Sequence, residues 1–358
     1  MKAIQKQGTG RAALIDAPIP SCGPTDVLLK PLYSGICMTD LYVLYHDMGQ
    51  QGQEPFPLIM GHEFSAVVAE VGKHAGAYVG TDTKIKMGDR VTVEPLLPCG
   101  ICDNCLQGRT NVCPRMSHLG VFEDGCFAEY VRVPSHRVHA LPDTVSDLEG
   151  ALVEPLSCAI NFIDKSQLKP GNAVVILGGG SIGIMAMQVA IASGAGLIIL
   201  SEPVAKKREL ALTLGAHAAI DPASENLVKR VWELTGQKGA DIVIECVGVQ
   251  ATISQMVHLV KRGGRCVLAG APMKPVEMNF LPFWYGEMEI VAAHATAWQF
   301  PRAIKLMQRG LVNVAAALEA VVPLKEGIEA MERAYSSKEL GKIVVKHMKE
   351  RGERDESV

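Results

Sequence analysis

The sequence predicts an α/β fold in which a mainly β domain precedes a doubly wound parallel sheet. The chain has 358 residues, more than one hydrophobic core usually organises, so we expect two domains. Up to about residue 150, short β-branched runs alternate with glycine and proline turns, a pattern typical of strands. Beyond that point, apolar runs alternate with helical patterns, which predicts βαβ units.

The composition is that of a globular protein and excludes several function classes. Hydrophobic residues make up 48% of the chain and charged residues 20%, and the formal net charge is -3. Because this charge gives no basic footprint, we expect neither nucleic acid nor a membrane surface as a partner. No apolar run reaches the roughly 20 residues that span a bilayer, and the N-terminus lacks the apolar core of a signal peptide. These features predict a cytoplasmic protein.

The predicted elements follow this division in order. Strands of the first domain are predicted at residues 27–32, 64–71, 90–93 and 127–133. In the second domain, the continuous apolar run at 173–177 predicts a strand buried on both faces. Further strands are predicted at 197–200, 241–246 and 265–269, with helices at 184–192, 206–214 and 253–260. The tail combines helices at 301–308 and 325–334 with a strand at 342–346.

Four of the ten cysteines fall within one short segment. Cys99, Cys102, Cys105 and Cys113 form the pattern C-x2-C-x2-C-x7-C. In a reducing compartment such a cluster indicates a metal site rather than disulfides, and four thiolates match tetrahedral zinc. An iron–sulfur cluster is the alternative that the spacing leaves open. Because the protein fills all four positions, a zinc ion here would be structural.

A glycine-rich turn follows the strand predicted at 173–177 and opens a predicted helix. Gly178, Gly180 and Gly183 form G-x-G-x-x-G, with Ser181 and Ile182 between the last two glycines. In this context the pattern predicts a dinucleotide site, because the glycines let the backbone approach a pyrophosphate at the helix N-terminus. The other interpretation is that the glycine turn has only a structural role in packing and binds no dinucleotide.

Glu202, at the end of the second predicted strand, favours NAD over NADP. A carboxylate about twenty residues beyond the turn can accept hydrogen bonds from the ribose hydroxyls and would repel a 2′-phosphate. NADP remains an alternative because three basic residues follow, Lys206, Lys207 and Arg208. A solvated face of the predicted helix explains these residues as well. Two further cofactor-binding residues are assigned near the ends of the later strands, Val247 and Ala269.

Four residues are candidate ligands of a second metal, Cys37, His62, Glu63 and Glu154. A thiolate, an imidazole and carboxylates make a site with room for water or substrate, as a catalytic zinc requires. Asp40 is a candidate hydrogen-bond partner for the His62 imidazole. Taken singly, each residue has an ordinary structural interpretation, such as a buried thiol or a carboxylate at a helix start.

Over nearly its whole length the chain resembles the zinc-dependent medium-chain alcohol dehydrogenases. The resemblance rests on the cysteine cluster, the glycine turn and three stretches: Gly35-Ile36-Cys37 with Asp40, Gly61-His62-Glu63, and Gly88-Asp89-Arg90-Val91. It implies a GroES-like β domain with a Rossmann domain inserted before the tail. The expected bounds are 1–153 for the GroES-like catalytic domain, 154–292 for the Rossmann domain and 293–358 for the return to the first.

Within the family, Glu154-Pro155-Leu156-Ser157 is similar to the sorbitol, polyol and butanediol dehydrogenases. The resemblance implies that Cys37, His62 and Glu63 hold the catalytic zinc, with Glu154 bound directly or through water. It also implies that Thr39 accepts the substrate proton. The family usually has a histidine five residues after the zinc cysteine, where this chain has Tyr42. Either Tyr42 or His46 replaces it in the proton relay, or the proton leaves through water.

The implied function is oxidation of a secondary alcohol, such as a polyol, cyclitol or diol, to a ketone, with two zinc ions per chain and NAD. An enzyme like L-threonine 3-dehydrogenase is one alternative. A non-catalytic zinc- and nucleotide-binding regulator or structural protein is the other. In this family the Rossmann sheets pair through their last strand, which we expect near residues 266–271, giving a dimer or a tetramer.

Overall fold

The computed structural model describes residues 1–46, 57–337 and 341–347. They form two compact units. One unit contains residues 1–154 and the described residues from Leu318 onward, and the other contains residues 155–317. The predicted combination of a β domain with a parallel α/β sheet is confirmed.

The first unit contains the strands of the N-terminal part. Its elements in chain order are β1 (Lys2–Gly8), β2 (Arg11–Asp16), β3 (Asp26–Gly35), α1 (Met38–Tyr45), β4 (Leu58–Ile59), β5 (Glu63–Val71), β6 (Arg90–Val93), β7 (Leu96–Leu97), α2 (Asp103–Leu106), β8 (Ser117–His118), β9 (Val131–Pro134), β10 (Val138–Ala140) and α3 (Asp147–Gly150). Helix α4 (Val153–Ser166) contains the boundary between the units.

The second unit alternates strands and helices. Its elements are β11 (Ala173–Leu177), α5 (Ser181–Ala192), β12 (Leu197–Ser201), α6 (Ala205–Thr213), β13 (Ala218–Ile220), α7 (Leu227–Leu234), β14 (Ala240–Glu245), α8 (Gln250–Ile253), α9 (Met256–Leu259), β15 (Val260–Leu268), α10 (Leu281–Gly286), β16 (Glu289–Ala292) and α11 (Phe300–Gln308). The chain then returns to the first unit with β17 (Leu318–Pro323), α12 (Gly327–Ser336) and β18 (Lys342–Lys346).

Strand β3 is the centre of the first unit. It pairs antiparallel with β5, β9 and β18 within a seven-stranded sheet, whose main order is β10-β6-β5-β3-β18-β17. Its apolar side chains, such as Leu29, are buried with those of β5, such as Phe64. The register places Gly35, the last residue of β3, opposite both Glu63 and Val344. The end of β3 therefore brings together residues that are distant in the sequence.

The second unit is built on a six-stranded parallel sheet in the order β13-β12-β11-β14-β15-β16. Its central strand β11 is buried along Val174–Leu177, as the apolar run predicts for a strand covered on both faces. Because all the strands are parallel, the loops that follow them meet at one edge of the sheet. In folds of this class that edge binds ligands.

Three sequence-based expectations differ from the structure. The strand predicted at 127–133 is shorter, Val131–Pro134, because the segment before it bonds elsewhere: the carbonyl of Phe127 accepts a hydrogen bond from Ile4, and its N–H donates one to Met60. The helix predicted at 253–260 is two short helices, α8 and α9, and Val260 begins β15. The last strand of the parallel sheet is β16, not the segment at 266–271, because β15 has β16 on its outer side.

Residues 293–317 group with the second unit, whereas the expected bounds assign them to the tail. Helix α11 and a 3-10 turn at Val314–Ala317 fill this segment. Buried Gln188 of α5 exchanges hydrogen bonds with the backbone of Asn313 at 2.8 and 3.1 Å. The chain thus leaves the second unit only at Leu318. Among the described residues, none of the helices is long and apolar enough to cross a membrane.

Candidate metal and dinucleotide sites

The four clustered cysteines converge on one point at the surface of the first unit. Their Sγ atoms all lie within 4.8 Å of one another, and none of the four is in a disulfide. Cys102 Sγ lies 3.4 Å from Cys105 Sγ and 3.8 Å from Cys113 Sγ. Tetrahedral zinc with bonds of about 2.3 Å separates its sulfur ligands by about 3.8 Å. The cluster therefore fits a single zinc ion that has four protein ligands.

The electrostatic environment of the four cysteines also favours a bound cation. A hydrogen bond from the Ile101 backbone lowers the pKa of Cys99 to about 6, which favours the thiolate. Desolvation, followed by hydrogen bonding with Cys102, raises the pKa of Cys105 to about 12. The guanidinium of Arg115 lies 3.3 Å from Cys99 Sγ. Since one positive side chain cannot balance four thiolates, a divalent metal is needed for all four to ionise together.

Cys37, His62 and Glu63 form a second group, at the end of β3. Cys37 is the N-cap of α1, Glu63 is the first residue of β5, and His62 directly precedes it. One ligand atom from each of the three residues lies within 4.8 Å of the others. His62 and Glu63 are buried, and Cys37 is partly exposed. Three donors of different chemistry on one side of a point fit a metal that keeps a position open.

Asp40 holds the imidazole of His62 in place. The Asp40 side chain is fully buried; its Oδ2 accepts a hydrogen bond from the Cys37 backbone at 2.8 Å, and its Oδ1 lies 3.3 Å from His62 Nδ1. This contact leaves His62 Nε2 available for a metal. Burial by itself lowers the pKa of His62, but the negative charges of Asp40 and Cys37 outweigh burial and hold this pKa well above its ordinary value.

Lys342 of β18 is a functional residue that the sequence did not reveal. Its ammonium group forms an ion pair with Glu63 Oε2, and both side chains are almost completely buried. The sequence around Lys342 matches no recognised motif, and Lys342 is far from Glu63 along the chain. Only the pairing of β3 with both β5 and β18 shows that the two side chains meet.

Gly61, which precedes the two ligands, is required by its backbone conformation. Its φ of +94° lies in the left-handed region that side chains disfavour. A Cβ at this position would also lie 2.7 Å from Cγ of Phe127, closer than van der Waals contact allows. The glycine thus lets the chain turn sharply before β5, so that His62 and Glu63 face the metal position.

The other predicted catalytic residues occupy different places. Glu154 is buried in the first turn of α4 and is not part of the three-residue ligand group, so its role at the metal stays a prediction. Thr39 lies in the first turn of α1, two residues after Cys37. Tyr42 lies on α1, and His46 is the residue that caps the C-terminal end of this helix. The centroids of their rings are 5.8 Å apart. His46 is exposed, and its Nε2 lies 3.3 Å from the hydroxyl of Tyr335.

The glycine turn has the form that dinucleotide binding needs. It connects β11 to α5, with Gly180 as the N-cap and Ser181 as the first helical residue. A Cβ on Gly183 would lie 1.9 Å from the carbonyl oxygen of Gly178, so only glycine allows this close approach. Ser181 and Ile182 occupy the first turn of the helix, whose backbone N–H groups favour an anion.

Glu202 lies beside this turn, as the sequence predicts for a ribose-binding carboxylate. Its Oε2 accepts a hydrogen bond from the Gly179 backbone at 2.7 Å, and its Oε1 accepts one from Val204 at 3.0 Å. Arg208 donates to the backbone carbonyls of Glu202 and Pro203 and lies 3.4 Å from Asp221. Its guanidinium is therefore already engaged by protein oxygens. Lys207 is buried on α6.

The remaining predicted cofactor residues lie in loops at the same edge of the parallel sheet. Val247 comes two residues after the end of β14, and Ala269 directly follows β15. A Cβ on Gly178 would lie 2.6 Å from Cγ2 of Val247, so the loop after β14 borders the glycine turn. The structure therefore gathers the predicted cofactor residues of β11, β14 and β15 at one edge.

Two family models match the chain. Residues 23–143 match the alcohol dehydrogenase GroES-like domain, and residues 181–309 match the zinc-binding dehydrogenase domain. The chain is 31% identical over 344 residues to sorbitol dehydrogenase of Bacillus subtilis, covering 94% of each protein. It is 33% identical over 345 residues to L-threonine 3-dehydrogenase of Bacillus velezensis, covering 94% of this chain and 97% of the relative.

A solved structure with the same architecture is described as a zinc-binding dehydrogenase of Sinorhizobium meliloti 1021 bound to NADP. It superposes with a TM-score of 0.88 at 33% identity, covering 96% of this chain and 98% of that chain. These matches favour zinc over an iron–sulfur cluster as the metal of the cysteine cluster.

Replacing Cys102 with Ser should remove the metal of the cysteine cluster without affecting the second site. We expect the zinc content, measured by plasma emission spectroscopy, to fall from two ions per chain to one, because serine does not replace a thiolate ligand. Cys22→Ser is the control, since Cys22 lies outside both clusters and should leave two ions. Two ions in the Cys102→Ser protein would contradict the assignment.

Replacing Lys342 with Met should destabilise the metal-free protein by about 3–5 kcal/mol, because a buried carboxylate loses its cation. Urea unfolding of the metal-free forms measures this change. Lys2→Met is the control: it breaks an ion pair between exposed Lys2 and Asp16, and should change stability little. Equal stability of the two variants would show that Lys342 does not neutralise Glu63.

Proposed function

The chain belongs to the zinc-dependent medium-chain alcohol dehydrogenases, and we propose that it oxidises a secondary alcohol of the polyol, cyclitol or diol class to a ketone with NAD. One observation carries this proposal: Cys37, His62 and Glu63 bring a thiolate, an imidazole and a carboxylate to one point. A protein with only a structural role for zinc would not need this second, incompletely closed ligand group.

Cys37 and His62 would hold the catalytic zinc, with Glu63 as the third residue of the group. When bound, zinc supplies the Lewis acidity that lowers the pKa of an alcohol, and NAD supplies the hydride acceptor. Asp40 keeps the His62 ring in a fixed orientation. Lys342 neutralises Glu63, which limits the negative charge around the metal. Glu154 would complete the site, directly or through a water molecule.

The substrate proton would pass to the hydroxyl of Thr39 and leave along α1. Desolvation raises the pKa of Tyr42 still further from neutrality, so its phenol is un-ionised at neutral pH and can only relay a proton, as the hydroxyl of Thr39 does. His46 is exposed at the end of the helix, so its imidazole is in contact with solvent. We therefore favour His46 over Tyr42 as the group that exchanges the proton with solvent.

Glu202 supports NAD as the preferred dinucleotide. Its buried carboxylate accepts one backbone hydrogen bond from Gly179 of the glycine turn and one from Val204, at a place where a 2′-phosphate would add a second negative charge. Arg208, the nearest guanidinium along α6, is bound to carbonyl oxygens and Asp221 rather than free for a phosphate. A solved structure of a similar protein contains NADP. Because this chain has Glu202, we expect it to prefer NAD.

An enzyme like L-threonine 3-dehydrogenase is the second candidate, supported by the 33% identical relative of that name. Glu154-Pro155, which is similar to the polyol branch, favours a polyol or diol instead. A non-catalytic regulator or structural protein is less favoured. Such proteins would not need Cys37, His62 and Glu63 to be kept together with Asp40 behind them.

We further propose that the chain forms homodimers or tetramers through strand β16. This strand is the outer strand of the parallel sheet, so its free edge can pair with a second copy. Helix α10, immediately before it, exposes Trp284 and Tyr285 by 74% and 65%. Large exposed aromatic side chains are typical of an interface between subunits.

Replacing His62 with Ala should abolish alcohol oxidation and leave dinucleotide binding intact. The wild-type protein is first screened for NAD reduction with polyols, diols and amino alcohols, and the best substrate is used for the variant. We expect one zinc ion per chain to be lost and the rate to fall by at least 10³-fold, because the Lewis acid is absent. His74→Ala, at an exposed histidine of the same unit, should retain full activity.

Retained turnover in the His62→Ala protein would reject the proposed metal site. Activity confined to L-threonine in the substrate screen would favour the second candidate. A wild-type protein with two zinc ions but no turnover on any of these alcohols would favour a non-catalytic role.

Replacing Glu202 with Ala should shift dinucleotide preference toward NADP. Removing the carboxylate lifts the charge repulsion on a 2′-phosphate and deletes an acceptor for the ribose hydroxyls. We expect KM for NAD to rise about tenfold and the ratio of kcat/KM for NADP over NAD to rise by more than that. An unchanged ratio would mean that Glu202 only caps the glycine turn.

A further inference from the structure

Glu245, the last residue of β14, is a fully buried carboxylate at the ligand-binding edge of the parallel sheet. A buried carboxylate is costly unless hydrogen-bond donors surround it. Here the donors come from the loop that directly follows the strand. Its Oε1 accepts hydrogen bonds from the backbone N–H groups of Val247 at 2.8 Å and Gly248 at 2.9 Å, and from the Thr252 hydroxyl at 2.7 Å.

The same residue also holds the neighbouring loop. The backbone carbonyl oxygen of Glu245 accepts hydrogen bonds from Ala269 at 2.9 Å and Gly270 at 2.8 Å, just beyond the end of β15. Its second carboxylate oxygen, Oε2, lies 3.1 Å from the Gly248 nitrogen. Residue 245 therefore contacts two loops that contain predicted cofactor residues: its carboxylate binds the loop of Val247, and its main-chain carbonyl binds the loop of Ala269.

A third loop depends on this arrangement through packing. Val247 borders Gly178 so closely that a Cβ on the glycine would lie 2.6 Å from the valine Cγ2. Gly178 begins the glycine turn, so a shift of the β14 loop would alter the surface on which a dinucleotide lies. Residue 245 thus contacts the loops after β14 and β15 directly, and it reaches the loop after β11 through Val247.

We propose that Glu245 is a positioning residue for the dinucleotide: its carboxylate holds the loop after β14 in the conformation that the cofactor binds. This inference rests on the proposed use of a nicotinamide dinucleotide. Glu245 is an acceptor only, which suits a position that faces three donors. A glutamine would have one acceptor oxygen and would place an NH2 group near the Gly248 N–H.

The test compares dinucleotide binding by Glu245→Ala and Glu245→Gln, measured by titration calorimetry with NAD in the absence of alcohol. Glu245→Ala leaves the three buried donors without their acceptor, so we expect it to bind NAD about 10- to 100-fold more weakly. Glu245→Gln keeps the size of the side chain and one acceptor, and should bind about 3- to 10-fold more weakly. In steady-state assays, KM for NAD should rise in both variants more than kcat falls.

Asp241→Asn is the matched control, because Asp241 lies near the opposite end of the same strand. Its Oδ2 accepts a hydrogen bond from the Ala173 backbone at 2.7 Å, and its carboxylate pairs with Lys261. Asp241→Asn therefore also disturbs a carboxylate that binds the backbone of a neighbouring strand, but at the edge without the cofactor loops. Its affinity for NAD should stay within twofold of the wild-type value.

Unchanged NAD affinity in folded Glu245→Ala would overturn the proposal, as would an equal loss in Asp241→Asn. Should the alanine variant fail to fold, Glu245→Gln decides: a loss of less than twofold overturns the role. Failure of the proposed function has a different result. In that case the wild-type chain oxidises no alcohol, while NAD still binds and Glu245→Ala still weakens it.

Discussion

The first unit brings a group of charges, most of them buried, to the end of β3, and a metal ion would complete this group. Cys37, Asp40 and Glu63 bring three acidic groups to the end of β3, and Lys342 is the cation that contacts Glu63. Repulsion between buried acids is strong in a medium of low dielectric constant. Lys342 balances one of them, and the raised pKa of His62 means that a proton on its imidazole offsets a second. A divalent cation bound by the thiolate and the imidazole would take the place of that proton and balance the remaining charge, so these acidic groups favour metal binding.

Strand β3 makes this arrangement possible because it borders both β5 and β18. Its end leads into α1, whose N-cap is Cys37 and whose first turn contains Asp40, while β5 begins with Glu63, directly after His62. The sequence revealed these four residues because short motifs carry them. It could not reveal Lys342, because that contact depends on which strand the tail pairs with, and strand order is not encoded in any local pattern. The same reason explains the misplaced last strand: the apolar run near Cys266 gives no sign that β16 pairs outside it.

Local sequence patterns predicted helices and strands well where the tertiary contacts favour the same secondary structure. The strand at Ala173–Leu177 and the helix after the glycine turn follow directly from a continuous apolar run and from glycine spacing. Phe127 shows the opposite case. Its segment looks like part of a strand, yet it bonds to Ile4 and Met60, so the regular ladder begins only at Val131. A β-branched pattern reports burial, but the choice of partner comes from the rest of the fold.

The second unit uses carboxylates for a different purpose from the first. Glu202 and Glu245 each accept backbone hydrogen bonds from loops at the ligand-binding edge of the sheet. Loops after parallel strands have no ladder partners, so their N–H groups need another acceptor, and a carboxylate can serve several donors at once. A loop held in this way keeps its shape before the ligand arrives. Since ordering a loop costs free energy, an edge that is already ordered binds its dinucleotide without that cost.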